Sequence, residues 1–461
     1  MTQSSKQIIV AKFGGTSMAS AAAMKHVADI IEDQNIQFSV VSAVAGSTNI
    51  LEDLGNNVTE QAWKVSEQSI ADLTNIHLGI ARELCLEKDD IARLTILFDE
   101  ATTLVKGMYL LKDNPPAARD RLMSVGERAS SLLLQSYLKQ SSKKKTELID
   151  ARTILVTSED HGQARPKYQL IKKNTDKKIL PKLKEGNRFI TQGFIGRSIE
   201  GNTTTLGRGG SDFSAAIFAE AMGAKELQIW SDVSGISSCD PRIVKDAKPL
   251  SELTYGEAAE LALAGAKIIY PATIIPTERA NIPVVIKNTF APTATGTIIS
   301  SSDDYPPLIR AVAIKNNQHL ITVATPRMTA QYGFLAELFS LFQKHKLNID
   351  QVITSETAIS ITVSDRIARH SGLMNELRDF AEISIEPNIA MVSVVGNNIT
   401  DTPHVGKRIL DAIYDEKEPI VLRGVNQGAN KHSFSVFVAN KDADTCARRL
   451  HKGLINNGLL S

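Results

Sequence analysis

The sequence predicts an α/β protein with a mainly parallel central sheet, followed by a pair of smaller α+β units. Three observations carry that expectation. The chain opens with an apolar strand at Ile8–Ala11, an alanine-rich helical stretch, MASAAAMKHVADIIED, and a second apolar strand in FSVVSAVAG. Strand, helix, strand joined by glycine turns is how parallel sheets are assembled, because a parallel neighbour needs a crossover long enough to hold a helix. Apolar runs of the same kind return in KKTELIDA, RFITQGFIG, ELQIWSDV and IPVVIKN. Finally, the order strand, helix, strand, strand occurs twice in the last third of the chain, which marks an internal repeat.

Each element has its own justification. In the first helical stretch Ala23, Val27, Ile30 and Ile31 fall at helical spacing, so one face is apolar. Leu51 to Leu138 is helical in pattern and reads as a lid or a helical layer rather than sheet. After IPVVIKN come APTATG and SSSDDYPP, where proline, serine and acidic residues cluster, and the domain boundary is placed between Phe290 and Pro307. The first repeat copy is ITVATPRMTAQYGFLAELFSLFQKHKLNIDQVITSETAISITV, and the second runs from MVSVVGNN to FSVFV. In both copies a glycine, Gly333 or Gly406, opens an amphipathic helix. Two copies are too few for a solenoid. The pair reads either as scaffold and dimer surface or as a ligand sensor at the joint between copies.

Composition narrows the function classes. Of 461 residues, 43% are hydrophobic and 22% charged, with a formal net charge of +1. That balance suits two or three globular domains and supplies neither a nucleic-acid stripe nor a polybasic membrane anchor. The basic run Lys143 to Lys145 reads as a solvated loop. Cys85, Cys239 and Cys446 lie far apart without metal-ligand spacing, so no disulfide scaffold is expected and a reducing cytoplasm fits. The sequence begins without the long apolar segment of a signal peptide, and no apolar run is long enough to span a bilayer. A cytoplasmic protein is expected.

Four segments carry more charge or flexibility than a fold requires. In KFGGTS a strand ends in Gly14 and Gly15, with Lys12 before them and hydroxyls after. Consecutive backbone N–H groups ahead of a helix suit an anion, although the spacing is not that of a Walker loop and a plain strand-to-helix turn reads equally well. In TTTLGRGGSD the glycines miss a dinucleotide fingerprint, whose third glycine would fall at Asp212. Arg208 offers a planar fork for a carboxylate or phosphate. Asp212 either caps the next helix, itself or through Ser211, or joins Arg208 in gripping both charged groups of an amino acid. IWSDVSGISSCDPR delivers Asp232 at the C-terminal end of a strand, where open α/β sheets bind ligands, and Arg242 is a phosphate ligand or plain surface. MSVGERAS places Glu127 beside Gly126 in a helical stretch, where a glutamate is ordinarily a solvated surface residue.

Taken together, KFGGTS, VSAVAGSTN, SVGE, TQGFIG, TTTLGRGGSD, WSDVSGI, DPR and GAKIIYPAT, in that order, resemble the aspartate kinases (aspartokinases) of the amino-acid-kinase superfamily. The lysine-sensitive class is the most similar, and the repeat resembles that family's ACT domains. The resemblance implies a three-layer catalytic domain over residues 1–300 that binds ATP and aspartate. Two ferredoxin-like ACT units, 301–390 and 391–461, would follow, interleaved so that a strand around 308–316 joins the second. It also implies transfer of the γ-phosphoryl group of ATP to the side-chain carboxylate of L-aspartate, the first step of the aspartate-derived pathway to lysine, threonine and methionine. A carboxylate is already ionised at neutral pH and needs no general base, so positioning and electrostatics supply the catalysis.

By the same resemblance Lys12 and Asp212 are the catalytic residues, with Lys12 stabilising the transferring group. Lys12, Gly14, Gly15, Ser231, Asp232, Arg242 and Lys267 make the ATP site, and Mg²⁺ arrives with the nucleotide rather than in a protein cage. Thr48, Glu127, Phe194, Arg208, Ser211 and Asp212 make the aspartate pocket, with Glu127 on the amino group and Arg208 on the α-carboxylate. Met328, Phe334, Leu335 and Asp350 fall at the effector site, where Asp350 would meet a cationic amino group. Three residues depart from the pattern. Ser231 replaces a commoner threonine and keeps the hydroxyl, Ser237 stands where tyrosine is expected, and Gln331 where serine is expected. Lysine is the first effector expected, threonine the second, and an insensitive enzyme the remaining alternative. A homodimer or dimer of dimers is implied, with no homoserine dehydrogenase module. The competing readings are a kinase for glutamate, acetylglutamate or carbamate, and an inactive amino-acid sensor. Intact Lys12, Arg208 and Asp212 weigh against the last.

Overall fold

The computed structural model describes residues 8–266, 269–301, 308–325, 332–364, 371–427 and 430–456. They form two compact units. The first comprises Met1–Ile236, Ser251–Tyr255 and Ile268–Ser302; the second comprises Ser237–Leu250, Gly256–Lys267 and Asp303–Ser461.

The first unit begins with β1 (Ile9–Phe13), α1 (Ala21–Asp33) and β2 (Phe38–Val41). A helical stretch follows: α2 (Ser47–Asn57), α3 (Trp63–Glu83), α4 (Lys88–Leu111) and α5 (Pro116–Ser141). Next come β3 (Thr146–Ile149), β4 (Val156–Thr157), α6 (Tyr168–Lys178), α7 (Leu180–Lys184), β5 (Arg188–Gln192), β6 (Ile195–Ser198), β7 (Thr203–Thr205), α8 (Gly210–Met222) and β8 (Glu226–Ser231). The chain then makes β9 (Ile236–Ser237) and β10 (Pro249–Leu250), adds β11 (Glu252–Thr254), and passes through α9 (Tyr255–Leu263), most of which counts with the second unit as β10 does. Helix α10 (Ile274–Arg279) and strands β12 (Val284–Asn288) and β13 (Thr297–Ser300) complete the first.

Eight of these strands make one sheet in the order β11-β13-β12-β8-β1-β2-β5-β3. Every pairing in it is parallel except β12 with β13. All four residues of β2 are buried, as expected of a central parallel strand covered on both faces. The stretch read as lid or layer is a layer. Helix α5 packs on β3 and β5, and α3 and α4 pack against it through Leu73, Ile80, Leu94 and Phe98. Proline at the first position of α5 loses no hydrogen bond there, and Asp89 and Asp90 in the first turn of α4 complement the helix dipole.

Two sequence expectations need correction. The helix does not follow KFGGTS directly: a short 3₁₀ turn, Thr16–Met18, comes first, and α1 starts only after Ser20, whose side chain accepts the Ala23 N–H. The apolar run RFITQGFIG is two strands, not one. It breaks at Phe194, which has a φ of +67°, and β6 leaves the main sheet to join β4 and β7 in a separate three-stranded sheet. A positive φ on a bulky residue ends extended pairing and turns the chain.

In the second unit, β14 (Ile309–Ala324), α11 (Phe334–Lys344), β15 (Gln351–Thr354), β16 (Ala358–Val363), α12 (Ser371–Phe380), β17 (Glu382–Gly396), α13 (Val405–Ile413), β18 (Gly424–Gln427), β19 (Ser433–Ala439) and α14 (Asn440–His451) form a six-stranded sheet covered by helices. The strand order is β15-β16-β14-β17-β19-β18, antiparallel throughout. Strands β14 and β17 serve both halves. Ala311–Lys315 pairs with Met391–Val395, whereas Leu320–Ala324 pairs with Glu382–Glu386, with register shifts between. One core gathers Ile321, Phe334, Leu338, Ile361 and Leu377; the other gathers Val312, Val394, Ile409, Val436 and Leu450. The first half, β14 to β17, is a βαββαβ unit of the ACT type; the second runs βαββα from β17 to α14 and takes its fourth strand from the start of β14. Gly333 caps α11 at φ +86°, but α13 opens on His404, φ +67°, and Gly406 lies inside the helix against Phe434.

Candidate active site

The C-terminal ends of β1 and β2, the first turn of α2, one face of α5 and the β7–α8 loop surround a cleft of about 830 Å³. Its lining includes Lys12, Gly15, Thr48, Glu127, Phe194, Arg208, Ser211 and Asp212. Eight residues that the sequence singled out, spread over two hundred positions, therefore share one cavity at the strand ends of a parallel sheet.

Lys12 reaches into the cleft from β1, and its ammonium lies 2.7 Å from Asp212 Oδ1. Both side chains are largely screened from solvent, at 12% and 15% exposure, which strengthens the pair relative to a surface one. Asp212 is not a helix cap. Helix α8 starts at Gly210 on the N-cap Gly209, without a side-chain cap bond, and Asp212 sits in its first turn, where the helix dipole favours a carboxylate. Gly209 is in the left-handed region at φ +70°, and a Cβ there would lie 2.1 Å from Tyr270 Cγ, so the loop closes against that ring only with glycine. Arg208, next to it, is exposed and makes no ion pair among the described residues.

The two glycines of KFGGTS differ. The Gly14 N–H donates to the Trp230 carbonyl at 3.1 Å and is spent on sheet pairing, and Gly14 does not line the cleft. Gly15 does line it. The expected run of consecutive free N–H groups is therefore shortened. A Cβ on Gly14 would touch Lys12 Nζ at 3.4 Å, so the missing side chain leaves room for the lysine instead.

Glu127 is the most perturbed group in the cleft. It is 3% exposed; Oε1 accepts the Ala43 N–H at 3.3 Å, and Oε2 has no partner among the described residues. Burial pushes its pKa up to about 8, only partly opposed by backbone N–H groups. A buried carboxylate oxygen left without a partner is a socket for a cation or donor.

The residues assigned to the nucleotide are not all brought together. Ser231 ends β8, the strand beside β1, with Asp232 exposed after it, and neither lines the cleft. Arg242 and Ser237 belong to the second unit, and Arg242 is 88% exposed and paired with Asp240 at 2.6 Å. Lys267 lies outside the described residues. Among described residues no group of three or more His, Cys, Asp or Glu could hold a metal ion, and no helix is long and apolar enough to cross a membrane.

The sequence reading missed Arg119, Asp120 and Met123, which also line the cleft. All three lie on α5 four to eight residues before Glu127, so helical spacing from that glutamate would have found them. At the expected effector region, Phe334 is buried in the core of the first ACT half and stacks on Phe380 at 4.7 Å, while Leu335 is 43% exposed. Asp350 already has a cation: Lys315 Nζ lies 2.8 Å from Oδ1, and the Ser364 hydroxyl donates to Oδ2. Met328 and Gln331 lie outside the described residues.

Comparison with known proteins identifies the family of the chain. Residues 7–288 match the amino acid kinase family, and residues 392–454 match the ACT domain. The chain is 35% identical over 458 residues to lysine-sensitive aspartokinase 3 of Escherichia coli (strain K12), covering 97% of this chain and 99% of that one. It superposes on E. coli aspartokinase III in complex with aspartate and ADP (R-state) with a TM-score of 0.86, covering 97% of this chain and 100% of that one. Against the same enzyme in complex with lysine and aspartate (T-state) the TM-score is 0.80, with 97% and 99% covered. Sequence identity is 35% in both superpositions.

Proposed function

The chain belongs to the aspartokinases of the amino acid kinase family, and from that premise we propose that its cleft joins the γ-phosphoryl group of ATP to the side-chain carboxylate of L-aspartate, giving 4-phospho-L-aspartate and ADP. The observation that carries the residue roles is the partnerless Oε2 of buried Glu127 in the cavity that also holds Lys12 and Arg208. An amino acid offers an ammonium for Glu127 and an α-carboxylate for the Arg208 fork, and its side-chain carboxylate is then left to react.

The nucleophile is ionised at neutral pH, so no side chain has to remove a proton. The barrier is the approach of one anion to another and the charge spread over the transferring group. Lys12 is the preorganised cation for that charge, and Asp212 holds its ammonium in place from the first turn of α8. Thr48, Phe194 and Ser211 shape the aspartate pocket. On the nucleotide side the assignment rests on Lys12, Gly15, Ser231 and Asp232; Gly14 acts by leaving room for Lys12, and Arg242 would have to exchange Asp240 for a phosphate. Mg²⁺ enters as part of the MgATP substrate, which suits a cleft whose described residues offer no dedicated cage.

The ACT pair we read as the seat of feedback inhibition by lysine in a homodimer or dimer of dimers, with Phe334, Leu335 and Asp350 at the effector. A lysine ammonium has to displace Lys315 from Asp350. Threonine carries no side-chain cation and would leave that pair intact.

Purified protein given ATP, Mg²⁺ and hydroxylamine tests the activity, because hydroxylamine traps an acyl phosphate as its hydroxamate. Hydroxamate from aspartate, suppressed by lysine, is the expected result. Hydroxamate from glutamate instead would assign a different amino-acid kinase, and none from either would leave an amino-acid sensor.

A further inference from the structure

Asp120 belongs to none of the motifs, yet it ties the cleft together. It lies in the second turn of α5, seven residues before Glu127, which is about 10 Å along the helix and on the same face. It is 4% exposed, and its carboxylate accepts four hydrogen bonds. The Thr205 hydroxyl donates to Oδ1 at 2.7 Å; the Thr205 N–H, the Gly162 N–H and His161 Nδ1 reach Oδ2 at 3.1, 3.1 and 2.7 Å.

These donors come from two separate segments. Thr205 is the last residue of β7, the strand that launches the loop carrying Arg208. His161 and Gly162 form the turn behind that loop: a Cβ on Gly207 would sit 2.8 Å from the Gly162 carbonyl oxygen, and the Ala164 N–H donates to the Thr205 carbonyl at 2.9 Å. One buried carboxylate thus fastens both the strand beneath the Arg208 loop and the turn backing it onto the helix that carries Glu127. With so many donors already on it, Asp120 has little capacity left for substrate.

We propose that Asp120 is a positioning residue that sets the separation between the ammonium socket at Glu127 and the carboxylate fork at Arg208. The inference rests on the reading that those two residues hold the head group of the amino acid. Fixing the head group fixes how far the side-chain carboxylate extends towards Lys12. Aspartate and glutamate differ by one methylene in that reach, so the Asp120 tie is also a determinant of substrate length.

The test is steady-state kinetics of the full chain carrying Asp120→Ala. The KM for aspartate should rise about tenfold, with kcat within about threefold, the KM for ATP unchanged, and the preference for aspartate over glutamate reduced. Asp120→Asn should rescue most of the loss, because a flipped amide can offer its oxygen to the two N–H groups and its NH₂ to the Thr205 hydroxyl. If the alanine variant does not fold, Thr205→Val removes one donor and should raise the aspartate KM about threefold. An unchanged aspartate KM, a parallel rise in the ATP KM, or failure of asparagine to rescue would overturn the proposal. Glu127→Gln and Arg208→Ala serve as controls. If both leave the aspartate KM untouched, the head-group reading itself fails; if both raise it and Asp120→Ala does not, only the positioning role fails.

Discussion

Each unit of this protein contains a lysine–aspartate pair of nearly the same geometry, and the two stand in different surroundings. In the catalytic unit Lys12 meets Asp212 at 2.7 Å; in the ACT unit Lys315 meets Asp350 at 2.8 Å. The first pair stands in a cleft where, among the described residues, Glu127 Oε2 has no partner and Arg208 no ion pair, so polar groups there are left unsatisfied. The second pair is more exposed, at 24% and 21%, and its carboxylate is also met by Ser364, so the protein has satisfied it from within. What an ion pair does follows less from its own distance than from which neighbours remain unsatisfied. An incomplete environment makes a site; a complete one makes a latch.

The largest effect expected is at the catalytic pair. Lys12→Ala should lower kcat about a thousandfold while circular dichroism and melting stay near normal, since a preorganised cation at a developing charge is worth that order. Retention of a tenth of the activity would make the Lys12–Asp212 pair structural and erase the contrast.

Glu127→Gln comes next. It should raise the aspartate KM by ten- to about a hundredfold, as expected for losing a charge-assisted bond, with the ATP KM unchanged. The raised pKa gives a second readout. The folded value of about 8 lies above the ordinary 4.5, so folding takes up a proton between them. The stability contributed by this group is complete below about pH 4.5 and is lost as pH rises through about 8. Melting temperature in the absence of ligand should fall from pH 5 to 8, and glutamine should flatten that slope. Aspartate binding at pH 7 should release a proton from Glu127, visible as a buffer-dependent heat in calorimetry. A binding heat independent of the buffer would mean that Glu127 does not meet the ammonium.

The smallest effect sharpens the other side. Lys315→Met should lower the lysine concentration for half inhibition about fivefold, because an exposed pair worth about 1 kcal/mol no longer competes for Asp350. Asp350→Asn should weaken inhibition instead. Unchanged lysine inhibition in the Lys315 variant would show that the pair is no latch.

Much of the architecture was legible because buried parallel strands are largely apolar runs, and β1, β2, β8 and β12 announce themselves that way despite single polar residues such as Lys12 and Gln228. The interruption at Phe194 was not, since a left-handed backbone on phenylalanine has no sequence signature; only packing of the β7–α8 loop against it imposes the turn. Lys12 and Arg208 stood out by type and neighbourhood, Glu127 gained its role only through the family resemblance, and the partner of Lys12 did not show. Asp212 read equally as a helix cap or as part of a substrate grip because its partner Lys12 is two hundred residues away, and nothing in the sequence joined Lys315 to Asp350. Asp120 was hidden for a different reason: in sequence an aspartate on a polar helix is solvated, and only the tertiary arrangement of β7 and the 161–162 turn buries it.

The shared strands β14 and β17 also dictate an order of events during synthesis. Ala311 finds its partner Val395 only after the whole first ACT half has been made, and β17 must then receive β19 at Val392–Val436 before its other edge is covered. Contacts so far apart in the chain form slowly, since the intervening loop has to close before any of them stabilises it. The second ACT half therefore finishes only after the first has been made, although its own first strand leaves the ribosome earliest. A chain cut between them would bare Val312 and Ile314 along an open strand edge and invite aggregation, rather than leave a kinase with half a sensor.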